Sequence, residues 1–135
     1  MDIVMQAVPA GGKKIDTSFD GTTVRTDLLE SSGGEGTGPE PLDLLFASLA
    51  SCTANYATEF CRNRDIATDG LAVKLLARRS EEGGLFDDVA LHLVLPEGFP
   101  EKYRKAIVRA AEKCTVKKHF LASIDVRTEL ADSEK

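Results

Sequence analysis

The chain has 135 residues, 42% of them hydrophobic and 29% charged, with a formal net charge of −5. Such a length and apolar content suit one soluble domain spanning residues 1–135, and no apolar run approaches the length of a membrane span. The acidic balance excludes a protein whose affinity rests on neutralised phosphates, so no nucleic-acid partner is expected; the one basic cluster, Lys113, Lys117, Lys118 and His119, is too small to reverse it.

In chain order, the first residues lack the basic start of a secretory signal, which makes the cytoplasm the default location. Residues 3–8 read as a strand that Pro9 and the glycines behind it break. Residues 14–19 and 22–28 flank Asp20-Gly21, a two-residue hairpin signal, and the three segments together predict an antiparallel meander. Residues 31–39, rich in Gly and Ser, predict a flexible loop and a candidate pocket wall. A long helix follows over residues 41–64, started by Pro41, whose missing N–H costs nothing in a first turn, and by Asp43, which complements the positive end of the helix dipole. Around it Leu45, Leu49, Tyr56 and Asn63 fall within about 60° of Cys52, while Ala47, Ala50, Ala54, Ala57 and Cys61 form an opposite face of small side chains. A helix apolar nearly all round is a buried helix, so the polar groups near Cys52, namely Ser48, Asn55 and Glu59, call for partners from a pocket or a subunit interface.

Residues 71–79 and 86–95 predict two further strands, with Val89, Leu91, Leu93 and Leu95 on one side and Ala90, His92 and Val94 on the other. His92 is read as a sheet histidine, not a catalytic base. Pro100 and Glu101 open a second helix whose buried stripe is Tyr103, Ile107, Ala110 and Cys114. Residues 123–130 alternate as a last strand with Ile124, Val126 and Leu130 inward. The order of three strands, helix, two strands, helix and strand is an α+β layout.

The three cysteines do not make a disulfide framework and contain no Cys-x-x-Cys, and His92 and His119 complete no familiar metal pattern, so no metal and no other cofactor is expected. They are buried fillers or they are chemistry. The run Gly36-Thr-Gly-Pro-Glu-Pro-Leu-Asp-Leu-Leu-Phe-Ala-Ser-Leu-Ala-Ser-Cys52-Thr, with Ala110-Ala-Glu-Lys-Cys114 far behind it, resembles the OsmC/Ohr family of thiol peroxidases. The resemblance implies an OsmC-like fold of antiparallel strands, a long central helix and a second cysteine-bearing helix, assembled as an intertwined homodimer. It implies reduction of organic hydroperoxides in oxidative stress defence. Cys52 takes the peroxidatic place and Cys114 the resolving one, with an external thiol as reductant. Cys61 is a small core residue on the alanine face.

The family members that carry this chemistry have a glutamate directly after the motif proline, paired to an arginine in the preceding strand or loop. Here Leu42 stands in the glutamate place and residues 31–39 hold no arginine. A mid-helix cysteine gains little from the helix dipole, so its thiolate needs a cation. Arg25 is the nearest candidate, with the partner subunit's Arg62, Arg64, Arg78 or Arg79 as alternatives. The contrasting reading is a non-catalytic homodimer that binds a small apolar ligand beside Tyr56, Phe46, Phe60 and Leu49. In either reading a second copy would cover Leu45 and Leu49.

Overall fold

The computed structural model describes residues 2–131, which form two compact units that meet at Ser48 and Leu49 along the chain. The fold is α+β with antiparallel strands, as expected.

The first unit holds a meander of β1 (Gln6–Pro9), β2 (Ile15–Phe19) and β3 (Thr22–Thr26). Its β2–β3 turn is the predicted Asp20-Gly21, with φ of 45° and 76°, the doubly left-handed conformation that matches the twist of paired strands. The first strand starts later than expected. The ladder with β2 stops at Gln6, opposite Ser18, and residues 3–5 stay exposed outside it. Residues 31–39 are not the loose loop expected. Asp27, 1% exposed, gathers them: its carboxylate accepts the Leu28 N–H at 2.8 Å, the Glu35 N–H at 3.3 Å, and the Thr37 N–H and hydroxyl at 3.1 and 2.8 Å. Gly34 fits this loop only because it lacks a side chain, since a Cβ there would lie inside contact distance of the Leu28 carbonyl.

Helix α1 (Pro41–Arg62) begins as predicted, and the Asp43 carboxylate reaches back to accept the Glu40 N–H at 2.9 Å. It ends two residues early in a left-handed cap: Asp65 takes φ 55°, the Ile66 N–H donates to the Cys61 carbonyl at 2.9 Å and the Asp65 N–H to the Arg62 carbonyl at 3.3 Å. The helix is not buried all round. Leu49, Thr53, Ala57, Phe60 and Cys61 make its covered stripe, whereas Leu42 and Leu45 stay 42% and 46% exposed.

In the second unit, β4 (Ala72–Arg79) and β5 (Phe86–Val94) pair as an antiparallel hairpin. The predicted alternation holds, with Leu93 and Leu95 on the covered side and His92 exposed opposite Lys74. Ala57, Phe60, Cys61 and Ile107 form the core, and Ile66, Leu71, Leu93, Leu95, Phe99 and Tyr103 pack on it. Phe60 meets Tyr103 edge to face at 5.8 Å, and the Arg64 guanidinium lies 3.7 Å above the Phe60 ring.

The second predicted helix is two. After a 3₁₀ turn at Glu101–Tyr103, α2 (Arg104–Ala111) carries the buried Ile107 and Ala111, and α3 (Thr115–Leu121) follows a break at Cys114. The β-branched Thr115 and Val116 after Cys114 make a poor helix interior and a tolerable first turn. The last predicted strand does not form: residues 123–130 have no ladder partner among the described residues, and Ile124, Val126 and Leu130 lie in solvent instead of inward. Alternation marks a segment that can pair, but a strand exists only with a neighbour to bond.

Candidate active site

The α1 stripe that faces the second unit's core carries one polar side chain, Thr53, and Cys52 sits on its edge. Thr53 is 3% exposed and donates its hydroxyl to the Leu49 carbonyl one turn back at 2.8 Å. Cys52, one residue earlier, is half-buried. Cys114 reaches the same place from the α2–α3 break. Its backbone, with φ −47° and ψ 124°, is not helical, so it caps α3 instead of lying in a helix, and its Sγ accepts the Lys117 N–H at 3.4 Å. The sulfur is fully buried.

Around that sulfur the donors decide its chemistry. Burial pushes the Cys114 thiol up, but the polar groups of Cys52, Thr53 and Val116 nearby and the Lys117 N–H that donates to it hold it below the ordinary cysteine value. Beside the pair, Tyr56 and Thr115 join α1 to the first residue of α3 through their hydroxyls, 3.1 Å apart.

Cys52 and Cys114, far apart in sequence, are free thiols on elements that this hydroxyl contact joins. Cys61 is separate. It is fully buried in the core, where burial pushes its thiol up and Arg64 only partly offsets this. Arg25, on β3, pairs with Asp16 directly across on β2, its Nε and Nη2 donating to the two carboxylate oxygens at 2.7 and 2.8 Å. That bond holds the Asp16 carboxyl below its usual value and raises the guanidinium's own. Of the alternative arginines, Arg64 covers Phe60, and Arg79 lies over Phe86 while donating to the Gly84 carbonyl. Phe60 and Leu49, offered as walls of an apolar pocket, belong to the buried stripe of α1 instead.

Two residues of consequence escaped the sequence reading. Thr53 carried a signal, a polar residue at the i+4 spacing that links Leu49 to Ala57 and Cys61 on the covered stripe. Asp27 carried none beyond its place just before a Gly-rich loop.

The fold and these two cysteines define a class, the small α+β protein with one cysteine on a long helix and a second capping a short one. The chain belongs to the OsmC family: the family model described as OsmC-like protein matches residues 34–129. Among solved structures, an OsmC-like protein from Mycoplasma pneumoniae is similar at 17% identity over 90% of this chain and 88% of that one, with a TM-score of 0.71. The organic hydroperoxide resistance protein OsmC of Legionella pneumophila, also described as a predicted redox protein, is 22% identical over 89% of each chain, with a TM-score of 0.60. The organic hydroperoxide resistance protein OhrB of Bacillus subtilis is 22% identical over 97% of this chain and 98% of that one, with a TM-score of 0.56. These similarities establish the OsmC-like fold. No curated protein matches the chain.

Proposed function

We infer that the protein is a cysteine-based hydroperoxide reductase acting in oxidative stress defence. The observation that carries this reading is the placement of two free thiols, the half-buried Cys52 and the fully buried Cys114, on elements joined by the Tyr56–Thr115 hydroxyl contact. Membership of the OsmC family and the hydroperoxide resistance proteins among the similar structures support it.

In this mechanism the more accessible Cys52 sulfur attacks the terminal oxygen of an organic hydroperoxide. The O–O bond breaks, the alcohol leaves with the Cys52 proton, and Cys52 is left as a sulfenic acid. Cys114 attacks that sulfur, closes the disulfide and expels the oxygen as water. An external thiol restores both sulfurs. Arg25 is the cation proposed for the Cys52 thiolate, with Nη1 outside its bonds to Asp16. The working unit proposed is one OsmC-like domain in a cytoplasmic homodimer; the described helices include none long and apolar enough to cross a membrane.

The test is peptide mass spectrometry of the reduced protein after a brief, stoichiometric exposure to an organic hydroperoxide. A rapid Cys52–Cys114 disulfide is expected, with sulfenic acid trapped on Cys52 in the Cys114→Ser variant and no oxidation product in Cys52→Ser. Slow oxidation scattered over the three cysteines would overturn the reading. A second reading, the non-catalytic homodimer that binds a small apolar ligand, draws on the Arg25 guanidinium being engaged by Asp16 and on Leu42 in the family's glutamate place. Scattered oxidation would put that reading first.

A further inference from the structure

The start of α3 is held in two places. Its cap is the Cys114 sulfur, which accepts the Lys117 N–H at 3.4 Å. Its first residue, Thr115, meets the Tyr56 hydroxyl of α1 at 3.1 Å through its own hydroxyl. Tyr56 lies four residues beyond Cys52, one turn along the same side of α1. The residue that follows Cys114 therefore touches the residue one turn past Cys52. Oxidation treats the two holds differently. A Cys114 sulfur that turns to bond Cys52 leaves the Lys117 N–H, and α3, seven residues long, loses its cap. The Tyr56–Thr115 contact involves neither sulfur. With Thr115 exposed, water can serve both hydroxyls in its place, so the contact matters for placement more than for stability.

We propose that Tyr56 is a positioning residue for disulfide closure: through the Thr115 hydroxyl it holds the start of α3, and with it Cys114, beside the turn of α1 that carries Cys52. The inference rests on the redox reading of the cysteine pair. In the step concerned, a lone pair of the Cys114 sulfur attacks the sulfenic sulfur of Cys52. The S–S bond forms as the S–O bond breaks, and the hydroxide that leaves takes up the Cys114 proton to become water. The hydroperoxide supplied the oxidising equivalents in the step before. Tyr56 and Thr115 exchange no proton or electron. They set how often the two sulfurs meet, and so they act on closure and not on the first attack, which needs Cys52 alone.

Tyr56→Phe keeps the ring and removes one hydroxyl; Thr115→Val removes the other, and carries the test should Tyr56→Phe fail to fold. Mass spectrometry with sulfenic-acid trapping after hydroperoxide addition should show Cys52 oxidised at the parent rate in both. The Cys52–Cys114 disulfide should close about three- to tenfold more slowly, the span that one hydrogen bond is worth. Thr115→Ser should restore closure, and the double variant should be no slower than either single one, because both remove the same contact. The midpoint of Cys114 in the reduced protein, followed by NMR of ¹³Cβ-labelled cysteine, should match that of the parent, since position and not acidity is at stake. Closure at the parent rate in the single variants, effects that add in the double one, or slower closure with a raised Cys114 midpoint would each overturn the proposal. Equilibration of the cysteine pair with oxidised and reduced dithiothreitol asks the same question without peroxide, and the constant for disulfide formation should fall about three- to tenfold in Tyr56→Phe. If the parent protein forms no sulfenic acid at all, the redox reading fails, and the dithiothreitol equilibrium still decides whether Tyr56 brings the two sulfurs together.

Discussion

Asp27 in the first unit and Cys114 in the second are sealed acids held in cradles of the same kind. Each accepts backbone N–H donation, Asp27 from Leu28, Glu35 and Thr37 and Cys114 from Lys117, and each is held below its ordinary value. They differ in where the donors come from. Leu28, Glu35 and Thr37 all belong to the loop that follows Asp27, so that cradle is a local clasp and fixes only itself. Cys114 draws its N–H from α3, which the Tyr56–Thr115 hydroxyl contact ties to α1, so the setting of the sulfur depends on how α1 packs against the α2–α3 break. A local cradle settles conformation, whereas one shared between helices makes a reactive group answer to packing. Cys61, as deeply buried as Cys114 but without donors, shows that burial alone leaves a thiol neutral.

The largest effect should come from breaking the local clasp. Gly34→Ala forces a methyl against the Leu28 carbonyl and the Asp27 carboxylate, and should cost about 2–4 kcal/mol of stability, measured by chemical denaturation. If the cradles are independent, the Cys114 midpoint should not move in that variant. Acid should loosen the same clasp next. Asp27 is held at about 2 against an ordinary 3.8, so it stabilises the fold fully above the higher value, and this stabilisation is lost as pH falls from there towards 2. Asp27→Asn should flatten the stability profile across that window; an unchanged slope would mean that other carboxyls set it. The smallest effect is expected at the thiol without donors. Cys61→Ala should cost about 1 kcal/mol through lost packing and leave the rate of the Cys52–Cys114 disulfide as it was, which peptide mass spectrometry would read.

Periodicity made the layout legible because it reports which side of an element is covered. It found the meander, α1, the β4–β5 alternation and the stripe of Ile107 and Cys114. It could not report what pairs with a strand, and so the alternation of residues 123–130 predicted a strand that the described chain does not form. Nor could it see that Cys114 leaves the helix to cap the next one, since a cap depends on backbone angles that helical spacing ignores. The two candidate cysteines could be picked out through the family motif. Their surroundings could not, because the Tyr56–Thr115 and Lys117–Cys114 hydrogen bonds depend on how the helices come together. The buried stripe, too, lies nearer the alanine face of α1 than Cys52, and Leu49 joins it while Leu45 does not.

The sealed position of Cys61 also makes the protein its own stopwatch. A thiol reagent can reach that sulfur only when the core of Ala57, Phe60 and Ile107 parts, so its labelling rate counts openings of the second unit's interior. Comparing that rate in the reduced protein and after the Cys52–Cys114 crosslink would time how much the redox state stiffens the core, with no added probe.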